Sequence, residues 1–188
     1  MQKENFFHST VNLFEDYRAK MVTERHKDYN GNLSNEVHHR LRQLSFICEK
    51  IRYYDQVVTN PEITLSTSTT EEIIKLGELF DEGVVYAEAF YFSAWRIILI
   101  ADHYTNPLPG LKPLKKKAKG VRTVRNSVIV HPEKKNIFLQ SFAWGSNGPI
   151  LKAVRTPGET FEITDRGLWI NAQEFKDSLE ELLQKAIQ

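Results

Sequence analysis

From residue 70 to residue 101 the chain carries a hydrophobic stripe of constant period. Ile73, Leu76, Phe80, Val84, Ala87, Tyr91, Ala94, Ile98 and Ala101 recur at spacings of three and four. That spacing predicts one helix of about 30 residues, ~45 Å long at 1.5 Å per residue. Glu71 and Glu72 suit its first turn, where the helix dipole favours negative charge. From Val84 to Ile100 apolar residues fall on nearly every face, so this segment belongs at the centre of a bundle or at a subunit interface. Gly77 and Gly83 are the points where it is expected to bend or break. TNPLPGLKP, residues 105 to 113, then forbids continuation with three prolines and a glycine.

The segments before it are helical too. Val11, Phe14, Tyr17 and Met21 keep the same spacing, as do Val37, Leu41, Leu44, Ile47, Ile51 and Tyr54. Asn30-Gly31-Asn32 separates these two segments as a turn. A polar linker with Pro61, residues 59 to 69, leads into the third helix. A fourth helix is expected from Leu114 to Val130, because Val121, Val124 and Val128 keep helical spacing; Gly120 weakens it, and SVIV would also suit a strand. Pro132 pushes His131 out of the α region, so that helix ends at or before His131.

After residue 136 the period changes. IFLQSFAW, PILKAVRT and TFEIT are strand-like, with turns at Gly145-Ser-Asn-Gly148 and Pro157-Gly158 between them, and LWI adds a short fourth strand. A closing helix is expected with Asn171 as N-cap and Glu174 as its capping-box partner, burying Phe175, Leu179, Leu182 and Leu183. The expected fold is therefore mainly α: a helical bundle over residues 1–132, then a small antiparallel β-meander and a C-terminal helix over 133–188, packed on the bundle as one compact unit.

At 188 residues the chain is long enough for one core. Its net charge of +1 gives no bulk reason to bind nucleic acid or a membrane, so any electrostatic case has to be local. The single cysteine, Cys48, has no partner for an intrachain disulfide, and no zinc-type spacing exists, which fits a reducing, cytoplasmic setting with no metal. MQKENFFHSTVNLFEDYRAK is charged from residue 3 and does not read as a signal peptide. The apolar run around Ala94 to Ala101 is interrupted by Arg96 and is too short to span a bilayer. No nucleotide-binding glycine loop and no serine elbow is present, so no cofactor is expected.

The local case lies between Asp102 and Glu133, where there is no acidic residue. Lys112, Lys115, Lys116, Lys117, Lys119, Arg122 and Arg125 fall there, seven of the 25 cations. Such a run suits phosphate contacts, with Lys115, Lys116, Lys117, Lys119 and Arg122 as the RNA-binding candidates. The bland alternative is a solvated helix face. Directly after the run comes RNSVIVHP: Arg125 and Asn126, four residues, then His131 before a proline.

This constellation resembles the R-x4-6-H signature of the HEPN superfamily, in which a polar residue, often asparagine, follows the arginine and a proline commonly follows the histidine. The signature lies on a late helix of an all-helical bundle, which agrees with its place here. The resemblance implies a metal-independent endoribonuclease, of toxin or defence type, with Arg125, Asn126 and His131 as catalytic residues. Otherwise it implies a non-catalytic module for dimerisation or for RNA or protein binding. An antitoxin or another protein would then be a partner. A β-meander is not part of the common HEPN core and points to a separate branch.

The chemistry suits these side chains. An imidazole titrates near neutrality and serves as acid or base. A guanidinium holds two phosphate oxygens at once. On one ideal helix Arg125 and His131 stand about 120° and ~9 Å apart, and side chains lean toward the N-terminus, so one copy makes a poor site. A two-fold homodimer brings the arginine of one chain toward the histidine of the other. The structural alternative has His131 capping the helix and Arg125 paired with Glu82 or Glu88. Elsewhere, the adjacent His38 and His39 diverge by about 100° and suit a metal poorly. Asp81 and Glu88 read as a surface pair of acids, and Tyr91, Phe92 and Trp95 as core.

Overall fold

A computed structural model describes residues 5–59, 69–102, 108–118, 121, 137–145, 148–155 and 172–188, the strands among them as backbone. Three helices dominate: α1 (His8–Thr23), α2 (Gly31–Val58) and α3 (Thr70–Ala101). A single turn, α4 (Leu114–Lys117), follows, then β1 (Ile137–Gly145), β2 (Gly148–Arg155) and a final helix, α5 (Ala172–Ile187).

Local chemistry sets the helix ends. Asn30 caps α2, its side chain accepting from the Leu33 amide at 3.1 Å. Thr69 and Glu72 form a capping box at the start of α3, each side chain satisfying the other's backbone N–H. The start of α1 has no such device of its own, since Phe7 stands at the N-cap. Glu180 of α5 supplies a carboxylate there instead, accepting from the Ser9 hydroxyl at 2.9 Å and the Thr10 hydroxyl at 2.6 Å. Past α1, Arg25 takes a left-handed φ of 49°, and the His26 amide bonds back to the Met21 carbonyl at 3.0 Å.

The apolar stripes meet in one core. Phe14 and Tyr17 of α1, Leu41, Leu44 and Ile51 of α2, and Tyr91, Ile97 and Ile98 of α3 are all buried. Each such side chain contributes roughly 1.5–3 kcal/mol by leaving water. Phe7, Phe90 and Phe175 form an aromatic triad with ring centroids 6.3–6.4 Å apart, joining the start of α1 to α3 and α5. Between α3 and α4, Leu108-Pro109-Gly110-Leu111 makes a tight turn. The Leu111 amide bonds to the Leu108 carbonyl at 3.0 Å, with Gly110 at φ 76°. Proline second and glycine third are what a type II turn requires. The Pro109 carbonyl in turn accepts from the Tyr17 hydroxyl at 3.0 Å.

Several expectations are corrected. The bundle is not followed by a β-meander. A meander needs at least three neighbouring strands, and among the described residues there is one hairpin, with Ile137 opposite Arg155, Gly145 opposite Gly148 and a register shift between Leu139 and Ser141. TFEIT and LWI lie outside the described residues. A lone two-stranded hairpin is marginal in water, and this one leans on helices, β1 against α2 and α3, β2 against α5 and α2. The fold is a mainly helical bundle. No helix runs unbroken from Leu114 to Val130: α4 stops after one turn, with Ala118 leaving helical geometry at ψ 40°. Val121 is helical and buried, and residues 122–136 lie outside the described residues, as does the expected cap Asn171. Gly77 and Gly83 do not break α3, which is one helix of 32 residues.

That continuity also revises the membrane expectation. By length and composition α3 is apolar enough to cross a bilayer, and half of its most apolar window is buried within the fold. The segment from Ala87 to Ala101 buries most of its side chains, while Val85, Phe92 and Leu99 stay exposed on one face. The helix pairs chiefly with α2, touches β1 and α4, and leaves one side open.

Candidate functional site

The five residues Lys119, Arg122, Arg125, Asn126 and His131 lie outside the described residues. The structure does place the front of the basic run. Leu108, Leu111, Leu114, Ala118 and Val121 are buried, so their helical spacing pins this segment to the core and turns Lys112, Lys115, Lys116 and Lys117 outward. Two of these lysines meet carboxylates. Lys115 Nζ lies 2.5 Å from Asp102, the C-cap of α3, and Lys117 Nζ lies 2.5 Å from Glu181 on α5. Lys185 also reaches Glu181, at 2.6 Å, and the two ammonium groups hold that carboxyl down to about 2. Lys116 stands exposed between them.

The acid-free window is therefore not acid-free in space. Asp102 bounds it in sequence and curls back beside Lys115, while Glu181 arrives from 64 residues away. Only knowledge of how α5 docks would have revealed the second contact. Exposed pairs of this kind are worth ~0–1 kcal/mol each and are screened by salt, so a polyphosphate chain can displace them.

Of the two carboxylates named as structural partners for Arg125, the described residues give the surroundings but not the pairing, since Arg125 lies outside them. Glu82 accepts a hydrogen bond from the Tyr54 hydroxyl, and that bond, aided by burial, pushes the phenol up to about 12. Glu88 is half-buried, and desolvation raises its carboxyl above the usual range. His38 bonds Glu15 at 3.0 Å and His39 bonds Gln43 at 3.1 Å, so the adjacent histidines serve different neighbours. Among the described residues no three His, Cys, Asp or Glu side chains come together as a metal site. Tyr91 is core, as expected; Phe92 is not, being 46 % exposed.

One arrangement had no sequence signal. Asn5, His8 and Val11 at the start of α1 face Arg42, Ser45, Phe46 and Glu49 of α2 across an open cleft of about 250 Å³. Asn5 donates to Glu49 at 2.8 Å, His8 contacts Asn12 at 3.2 Å, and Lys50 lies 5.5 Å from the centre of the Phe46 ring. Guanidinium, imidazole and an aromatic face suit a nucleotide fragment; Glu49 opposes an anion at its own end. These residues are 31 or more positions apart between the two helices, so only the packing of α1 on α2 unites them.

The chain matches no protein-family model, no curated protein and no solved structure.

Proposed function

We propose that this chain is a HEPN-like, metal-independent endoribonuclease that acts through Arg125, Asn126 and His131 in a site shared by two copies. The observation that carries this reading is the order RNSVIVHP directly behind a cation-rich stretch, whose first turn, Lys115–Lys117, faces outward from a helical bundle. In this scheme the RNA 2′-oxygen attacks the adjacent phosphorus and the bond to the 5′-oxygen breaks. A 2′,3′-cyclic phosphate and a 5′-hydroxyl result. His131 accepts the 2′-proton or delivers one to the leaving oxygen; Arg125 holds the phosphoryl oxygens as charge builds on them; Asn126 orients the phosphate or the guanidinium.

A second reading has its own support. Lys115 and Lys117 already hold carboxylates, which suits a module that binds RNA or a protein, or dimerises, without cutting. RNA cleavage in EDTA separates the two. Wild type should cut, and His131→Ala and Arg125→Ala should each lose ~10²–10⁴ in rate, the usual worth of a general acid–base group. Equal cleavage by wild type and His131→Ala would remove the histidine from the mechanism, and RNA binding with no cleavage would establish the second reading.

A further inference from the structure

The open side of α3 is apolar and patterned. Val85, Phe92 and Leu99 are spaced by seven and are 62 %, 46 % and 41 % exposed. At about 100° per residue, Glu88, Ala89, Trp95 and Arg96 fall within about 60° of Phe92 on the same face. From Val85 to Leu99 this seam runs ~21 Å, far more contiguous than scattered surface apolar residues.

The seam is also a palindrome about Phe92. If a second α3 lies antiparallel across it, residues equidistant from Phe92 face one another. Val85 meets Leu99, both aliphatic. Ala89 meets Trp95, small against large. Glu88 meets Arg96, acid against base. Phe92 meets its own copy on the two-fold axis. A symmetric interface must be self-complementary in this way. Among the described residues the two charges are incompletely served. Among the described residues no donor reaches Glu88, whose carboxyl is raised by desolvation. Arg96 lies 3.7 Å from Glu36, a carboxylate that Arg40 already holds at 2.9 Å.

We propose that α3 is a homodimerisation helix, pairing antiparallel with α3 of a second copy about Phe92, with Glu88 of each chain against Arg96 of the other. A bilayer is the competing occupant of an apolar helix face, but an acid and a base inside the seam are costly in hydrocarbon and useful across a protein interface. The pairing would supply the two-fold that a composite Arg125/His131 site calls for, yet it stands on α3 alone. A dimer that leaves RNA intact keeps the interface and ends the nuclease reading; cleavage by a strict monomer does the reverse.

The test is analytical ultracentrifugation of the full chain, with circular dichroism confirming that each variant folds. Wild type should be a dimer. Glu88→Arg and Arg96→Glu should each weaken the dimer by at least ~10-fold through like-charge contact, and the double variant should recover it. Phe92→Cys should form a reducible interchain disulfide, with wild type as the control because Cys48 is buried. A monomeric wild type, a dimer indifferent to both reversals, or a chain that floats with neutral phosphatidylcholine vesicles instead of dimerising would overturn the proposal.

Discussion

Gly110 stands at φ 76°, and a Cβ placed on it would lie 2.9 Å from Cβ of Ala186 in the last turn of α5. Both facts demand the absence of a side chain. A left-handed backbone costs an L-residue ~1–2 kcal/mol, and the contact would shift the end of α5 as well. Gly110→Ala should therefore destabilise the fold by more than ~1 kcal/mol, read as a lower midpoint in urea unfolding; an unchanged midpoint would mean that the turn is not held as described. Sequence foretold this residue's role only halfway. Pro-Gly inside TNPLPGLKP announced a break, but nothing in the string named Ala186 as the neighbour, 76 residues on. The same holds for Tyr17, whose stripe position forecast burial but not the Pro109 carbonyl its hydroxyl would find. Local rules reach a few residues along the chain, and hydrogen-bond partners across the core lie beyond them. For the proposed catalytic residues, motif spacing remains the whole basis, since Arg125, Asn126 and His131 lie outside the described residues.

Elements were legible where period and punctuation agreed. The stripe of α2 is buried at every position its spacing marked, that of α1 from Phe14 to Met21, and that of α3 only from Ala87 onward: Leu76, Phe80 and Val84 are partly buried and Ile73 is exposed, because the first turns of α3 reach past the core. Legibility failed where breakers were weighed. Gly77 was expected to bend or break α3, yet the helix continues unbroken past it. A glycine costs helix stability without ending a helix that packing holds on one side. Because nothing lies within 4 Å of the Cβ that an alanine would add there, Gly77→Ala meets no obstacle. It should stabilise the protein by roughly 0.5–1 kcal/mol, seen as a higher thermal midpoint, and destabilisation would show that α3 needs flexibility at that point. The opposite error befell the stretch after Leu114. Helical spacing suggested one continuous helix, but α4 closes at Lys117 and Ala118 leaves helical geometry; Val121 is helical again, and Val124 and Val128 lie outside the described residues. The hairpin shows a similar limit, since strand-like composition cannot say how many neighbouring strands will pair.

At the scale of the whole molecule, the sequence implied one core but not how its ends are tied. The ties are carboxylates on α5 and α2. Burial alone would raise Glu180, but hydrogen bonds from Thr10, Lys176 and Ser9 hold it below its ordinary value. Lys117 and Lys185 hold Glu181 at about 2, against an ordinary value of 4.5. Arg40, by its hydrogen bond, keeps Glu36 low. Each of these groups releases its proton more readily when folded, so the native state binds fewer protons than the unfolded chain. Stability from such groups is fully present above the unfolded value, and it is lost as pH falls through the folded one. For Glu181 that window runs from 4.5 down to about 2. Glu88 works the other way. Desolvation raises its carboxyl, so protonation relieves a cost, and acidification through its range favours the monomer fold. The thermal midpoint should accordingly fall below about pH 4.5 as α5 loses its hold on α1 and α4. Glu181→Gln should flatten the decline, and Glu180→Gln should flatten it further, because Thr10 is fully buried and keeps an acceptor in the amide while Lys176 loses its counter-charge. Glu88→Gln should leave the decline in place and remove only the opposing slope above it. Added salt should mimic the Glu181 substitution, since that cluster is exposed and screened, and should touch the half-buried Glu180 cluster less. If the double Glu180→Gln/Glu181→Gln variant traces the wild-type pH profile, these carboxylates do not fasten α5, and the acid sensitivity of the fold belongs to other groups.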